Sequence, residues 1–270
     1  AGPAGSFVID DAATAVARSL VAGERKAVLL GNAAAHHAQA AQLLAQANWI
    51  GEHTGATVGY LTEAANTVGA QLVGAHPVKG GLNAAQMLSG GLKAVLLLNN
   101  EPVHDSSVGA RATDALSGAE MVVTLSPFKA NMEFSDVLLP IAPFTETSGS
   151  FINAEGRLQS FHAVVRPLGD TRPAWKVLRV LANMLEIPGF DFETSQDVLV
   201  RATNAAPGAF SRIDAAQLSN AVTGGVTASV SRALGEPVVA SIYQLDGLVR
   251  RSPSLQLTAD ARMAREEVAA

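Results

Sequence analysis

Short apolar runs alternate with longer amphipathic ones along the first half of the chain. Ala13–Val21 follows a possible cap at Asp10 or Asp11 and stops at Gly23, which predicts a helix. Lys26–Leu30 reads as a buried strand ended by Gly31-Asn32. Ala33 to about Ile50 is Ala-rich, with Ala40, Leu43, Ala47 and Ile50 on one helical face, and Gly51 is read as its stop. Thr57–Leu61, Lys93–Leu98, Met121–Leu125 and Asp136–Leu139 read as further strands, with short helices at Asn83–Leu88 and Ser107–Leu116. The all-apolar character of Lys93–Leu98 suits a parallel strand covered on both faces. Strands alternating with helices at this spacing are βαβ units. The fold predicted is therefore α/β, a doubly wound, mainly parallel sheet with helices on both faces.

The pattern changes after Pro140. Gly156 lies between Phe151-Ile152 and Leu158–Phe161, where a tight turn needs positive φ, so a β-hairpin is expected. Arg172-Pro173-Ala174-Trp175 opens a helix whose stripe is Ala174, Val177, Leu178, Leu181, Met184 and Leu185. A further helix begins near Gln196, capped by Thr194 or Ser195. Beyond Asn204 small and polar residues dominate. Val238–Tyr243 reads as a strand, Leu248–Leu257 as extended and Thr258–Val268 as a terminal helix. Residues 1–203 are thus expected to form the α/β domain and residues 204–270 a C-terminal arm, partly extended, lying on it.

Composition narrows the function. Charged residues are 16% of the chain, below the roughly 25% of an average soluble domain. Hydrophobic residues reach 48% with aromatics only 5%, so the apolar content is mostly Ala, Val and Leu. Such a chain is expected to hide surface against something larger. A net charge of -5 and a pI near 5.7 argue against nucleic-acid binding. No apolar run approaches the length of a membrane span, and Ala1–Asp10 lacks the pattern of a signal peptide. With no Cys, disulfides, Fe–S clusters and Zn–thiolate sites cannot form within this sequence. The chain does not begin with Met, which suggests a processed or cut polypeptide.

In a parallel sheet, ligands bind beyond the carboxyl ends of the strands. The loops there supply six crevice candidates: Gly31, Asn32, Asn99, Asn100, Glu101 and Ser126. Free N–H groups near helix starts could hold a phosphate, but capping explains the same residues, and no G-x-G-x-x-G or P-loop pattern occurs. None of the six His pairs at a metal-ligand spacing; His36 and His37 fit a helix surface. In His104-Asp105-Ser106-Ser107, Asp105 or Ser106 is better read as a helix cap than as part of a hydrolytic triad. Glu146 and Glu155 beside turn residues fit a hydrogen-bonded loop better than an acid/base pair. Arg250-Arg251 fit contact with an acidic partner or a solvated arm. No catalytic or metal-binding residue is assigned.

One stretch is more specific. Ser135-Asp136-Val137-Leu138-Leu139-Pro140 is followed by Glu146-Thr147-Ser148-Gly149-Ser150-Phe151-Ile152-Asn153-Ala154-Glu155-Gly156-Arg157, and then by Arg172-Pro173-Ala174-Trp175. This resembles the molybdopterin-oxidoreductase superfamily, with Ser135 and Ala174 as mild departures from its pattern. Ala65–Ala70, Gly74–Pro77, Asn99–Pro102 and Ile242–Arg251 further resemble the large iron–sulfur subunit of bacterial NADH:quinone oxidoreductase, respiratory complex I. That resemblance implies a C-terminal, cluster-free structural and assembly domain. No cofactor is then expected in these residues, and Fe–S clusters are expected in a preceding N-terminal region. The implied partners are that iron–sulfur region and other peripheral-arm subunits, with no nucleic acid and no direct membrane insertion. The implied location is cytoplasmic, peripheral to the inner membrane through the complex. The other reading is the dinucleotide-binding part of an active molybdopterin-dependent oxidoreductase, since the superfamily's molybdenum enzymes hold a pterin guanine dinucleotide in these loops.

Overall fold

The structure is a computed structural model and describes residues 9–37, 39–214, 217–218 and 241–263. The chain divides into two compact units. Of the described residues, one takes in residues 9–37, 39–67, 154–156, 213–214 and 217–218, and the other takes in residues 68–153, 157–212 and 241–263.

In the first unit, α1 (Asp11–Ala22) starts at Asp10, whose carboxylate accepts the Ala13 N–H at 2.6 Å, and ends at Gly23. Strand β1 (Ala27–Leu30) leads through α2 (Asn32–Ala35) and α3 (Ala40–Thr54) to β2 (Thr57–Tyr60). The strands pair in parallel from Ala27↔Thr57 to Leu30↔Tyr60. The single helix expected from Ala33 to Ile50 is broken. His37 Nδ1 accepts the Gln39 N–H at 3.0 Å, and Gln39 leaves helical geometry at φ -109, ψ 32. His36 and His37 thus lie past the end of α2, not on a helix surface. Gly51 does not stop the helix either. It is buried inside α3, where a Cβ would sit 2.7 Å from Val58 Cγ2 and 2.9 Å from the Ala56 carbonyl oxygen. The helix instead runs on to Thr54 and is closed by Gly55, four residues after Gly51, in the left-handed conformation with φ 74.

Helix α4 (Thr67–Leu72) lies in the second unit from Val68 onward. A reciprocal Asn83–Gln86 capping box then starts α5 (Ala84–Met87). Strand β3 (Ala94–Leu98) is followed by α6 (Pro102–Asp105), α7 (Arg111–Ser117), β4 (Met121–Ser126) and β5 (Val137–Pro140). The three strands form a parallel sheet in the order β3-β4-β5. Its central strand is the most enclosed, with Val122, Thr124, Leu125 and Ser126 buried. The core packs Leu97 and Val122 against Ala112 and Leu116 of α7 and against Phe134. The α/β class with parallel strands and flanking helices is as read from the sequence; among the described residues, five parallel strands are hydrogen-bonded as a pair and a trio. The expected two-sided burial of β3 is not observed. Val95 and Leu97 face the core, while Leu96 and Leu98 remain exposed.

The expected hairpin forms. β6 (Gly149–Ile152) and β7 (Leu158–Phe161) pair antiparallel from Gly149↔Phe161 to Ile152↔Leu158. Its turn is closed by Asn153 Oδ1, which accepts the Arg157 N–H at 2.9 Å, and Gly156 has φ 78. Helix α8 (Ala174–Met184) follows Pro173, and α9 (Ser195–Thr203) carries a Thr194–Asp197 capping box. Asp197 lies below the usual carboxylate range because it accepts hydrogen bonds from the Thr194 backbone, the Thr194 hydroxyl and the Glu193 backbone.

Of the arm expected to be partly extended, residues 204–214 run through turns to an isolated antiparallel bridge between Arg212 and Arg157, and residues 241–263 are mostly helical. α10 (Ile242–Leu245), 3-10 turns at Val249–Arg251 and Leu255–Leu257, and helical residues 259–263 succeed one another. Asp246 is the cause of the first turn: its carboxylate accepts the N–H groups of Leu248 and Val249 at 2.9 and 2.8 Å. Gln256 Nε2 ties the second back to the carbonyls of Tyr243 and Val249. The strand expected at Val238–Tyr243 falls partly outside the described residues, and its last two residues open α10. Residues 264–268 of the expected terminal helix also lie outside them.

Candidate functional site

The candidate crevice of the second unit is built where β3 and β4 end. Asn99 turns the chain with φ 48, and its N–H donates to the Leu125 carbonyl at 2.8 Å. The Asn100 carbonyl accepts from Asn131 Nδ2 at 2.9 Å. Glu101 then precedes α6, and its N–H donates to Asp105 Oδ2 at 2.7 Å. Ser126, buried at the end of β4, accepts the Phe128 N–H through Oγ at 3.1 Å. The structure thus gathers Asn99, Asn100, Glu101 and Ser126 at one end of one sheet. Gly31 and Asn32 belong to the first unit, where Gly31 precedes the four-residue α2 with no side-chain cap.

The Glu101 carboxylate does not face solvent. Arg250 Nη2 donates to its Oε1 at 2.7 Å, and Arg251 Nη2 donates to its Oε2 at 2.7 Å. Arg250 Nη1 also reaches Asp105 Oδ1 at 3.0 Å and the carbonyls of Gln244 and Leu245 at 2.9 Å. The Arg251 guanidinium lies 4.2 Å from the centre of the Phe128 ring. The Glu101 and Arg250 side chains are only 13% and 11% exposed. Burial pushes the Glu101 carboxyl up, but hydrogen bonds and charge from Arg251 and Arg250 outweigh it and hold the group below its ordinary range. Burial likewise pushes Arg250 down, and Glu101 and Asp105 more than reverse it.

Several sequence expectations change here. Asp105 and Ser106 do not cap the following helix. Asp105 binds Arg250 and the Glu101 N–H, and the Ser106 hydroxyl donates back to the Pro102 carbonyl. Of the two uses foreseen for Arg250-Arg251, an acidic partner is observed, and it is this chain's own β3–α6 loop. Sequence reasoning did not link Asp105 or Phe128 to the arginines. The only signal was two carboxylates four residues apart and a pair of arginines far downstream. Glu146 is a loop tie, its Oε2 accepting the Leu168 N–H at 3.0 Å.

Likeness to known proteins extends well beyond these loops. Residues 11–184 match the model of the molybdopterin oxidoreductase family. The chain belongs to that family. This molybdopterin oxidoreductase domain is similar to the probable oxidoreductase YjgC of Bacillus subtilis, 37% identical over 75 residues, which are 28% of this chain and 8% of that protein. It is also similar to putative formate dehydrogenases of Staphylococcus aureus strains bovine RF122 / ET3-1 and USA300. Each is 42% identical over 59 residues, 22% of this chain and 6% of the relative. The matched stretches are therefore a small part of these curated relatives.

The family's dinucleotide can be tested against the donors present. At the carboxyl end of β3 a pyrophosphate would meet the carboxylates of Glu101 and Asp105 and two guanidiniums already bonded to them. Like charge and spent donors make that set a poor fit for the group. Among the described residues of this molybdopterin oxidoreductase domain, no three His, Asp or Glu side chains form a metal-binding cluster, and no helix is long and apolar enough to cross a membrane.

Proposed function

We propose that this chain is a structural and assembly domain of the large iron–sulfur subunit of a complex I-type NADH:quinone oxidoreductase. In this reading electrons pass through Fe–S clusters in a preceding region of the subunit, and these residues give that region and the peripheral-arm subunits a surface to pack on. The assembly is cytoplasmic and peripheral to the inner membrane. The observation that supports it is the lock at the end of β3, where the chain's own Arg250 and Arg251 occupy Glu101 and Asp105. A crevice satisfied by its own side chains serves packing rather than ligand capture.

The second reading, a dinucleotide-binding part of an active molybdopterin-dependent oxidoreductase, is favoured by relatives named as an oxidoreductase and as putative formate dehydrogenases. Elemental and nucleotide analysis of the full-length protein separates the two. Stoichiometric iron without molybdenum, tungsten or releasable guanine nucleotide is the expected outcome. Stoichiometric molybdenum with a guanine nucleotide overturns the assembly reading.

A further inference from the structure

The apolar stripe of α8 is half-buried along Ala174, Val177, Leu178 and Leu181 and uncovered at its end, where Met184 and Leu185 are exposed, with Val180 exposed beside it. Among its residues only Ala182 is buried, while Val180 is 50% and Met184 77% exposed. Leu139 of β5, Val177, Val180, Leu181 and Met184 line a groove of ≈ 700 Å³. Strand β5 is an edge of its sheet, and the Arg172 carbonyl accepts the Ala142 N–H at 2.8 Å just beyond it. The groove floor is thus set between a sheet edge and a helix that meet at Arg172.

The groove's surroundings are cationic. Arg172, Lys176 and Arg179 line it, and Arg172 and Lys176 also line an adjoining cavity of ≈ 560 Å³ together with Arg166. From Arg166 to Arg179 these four cations stand against one acid, Asp170, in a chain whose net charge is -5. Among the described residues none of the four forms an ion pair. Arg172 Nη1 donates to the carbonyls of Gly169 and Thr171, Arg179 Nη1 to that of Phe192, and Lys176 lies over the Trp175 ring. Within the groove Glu193 is the one lining carboxylate; in the adjoining cavity it is joined by Glu146, which is engaged by the Leu168 N–H.

An apolar floor rimmed by unpaired cations selects for its complement. We infer that the α8–β5 groove docks an acidic amphipathic helix of a partner polypeptide, with apolar side chains on Val180 and Met184 and carboxylates facing Arg172 and Lys176. The inference goes beyond the functional reading above, since it holds for either assembly.

The test uses the full chain and two labelled helical peptides sharing one leucine stripe, one with Glu and one with Lys at the flanking positions, read by fluorescence anisotropy. The Glu peptide is expected to bind saturably and more weakly as salt rises. Met184→Asp and Lys176→Glu, both at exposed positions, should each raise its Kd by about tenfold or more. The Arg172→Glu/Lys176→Glu double variant should come to prefer the Lys peptide, which a purely apolar groove would not do. Equal binding of both peptides by the unmodified chain, no saturable binding of the Glu peptide, or self-association abolished by Met184→Asp in light scattering would overturn the assignment, the last in favour of a second copy.

Discussion

Replacing Glu101 by Gln keeps the shape of the side chain and removes its charge. Arg250, 11% exposed, would retain Asp105 at 3.0 Å and the carbonyls of Gln244 and Leu245 at 2.9 Å. Arg251 would lose its carboxylate and keep the Gly247 carbonyl at 3.0 Å and the Phe128 ring. An exposed ion pair contributes about 0–1 kcal/mol, and stranding a fully buried charge costs about 3–5 kcal/mol. Partial compensation of Arg250 places Glu101→Gln between these, at about 2 kcal/mol, or roughly a 30-fold change in a local opening equilibrium. Hydrogen exchange reads that opening directly. Amides bonded within the docked segment, such as Arg250 to the Asp246 carbonyl and Gln256 to the Ser252 carbonyl, should exchange faster by that factor. Amides of β4 should not change. An Arg250→Met/Glu101→Gln double variant should lose less than the sum of its parts, because no charge is left stranded. Exchange in the segment altered by less than about threefold would refute the lock, and equal acceleration in β4 would show that the substitution acts on the whole unit.

The pH dependence has a definite sign. Because the Glu101 carboxyl is held below its ordinary range, its stabilisation is present above roughly pH 4.3 and is lost as pH falls through the folded-state value. The stability gap between the unmodified chain and Glu101→Gln, measured by urea unfolding, should stay constant from neutral pH to about pH 5 and close in more acid solution. Gly156→Val forces a branched residue to φ 78 and drives a Cβ to 3.1 Å from Ile213 Cβ and 2.9 Å from Leu218 Cδ1, so a loss of about 2–4 kcal/mol is expected. An unchanged thermal midpoint would reject that turn geometry. Gly51→Ala places a methyl 2.7 Å from Val58 Cγ2 and 2.9 Å from the Ala56 oxygen. The expected loss is about 1–3 kcal/mol, and a neutral result in thermal unfolding would mean that α3 does not lie so close to β2.

Local rules carried much of the fold. Period-2 and period-3.6 patterns, the Asp10 and Thr194 caps, and the glycine at the hairpin turn depend on neighbours within a few residues, so they were legible in the linear chain. The same rules misread Gly51, because a glycine that ends a helix and one that admits a neighbouring strand look alike until Val58 is in place. They also misread Leu248–Leu257, where Arg and Pro suggested an extended arm and the Asp246 carboxylate instead folds the backbone into turns.

At the candidate site, the family motifs and the loops that follow the strands are written in the linear chain. What those loops bind to depends on how the chain packs. Glu101 and Arg251 are 150 positions apart and meet at 2.7 Å. Nothing in local spacing specifies that pairing; it follows from where the last turns of the chain dock. The apolar stripe of α8 shows the converse. Its amphipathic period was plain in the sequence, but a period reveals only that one face seeks cover. Whether cover is present depends on the surrounding chain, and here Met184 is left 77% exposed.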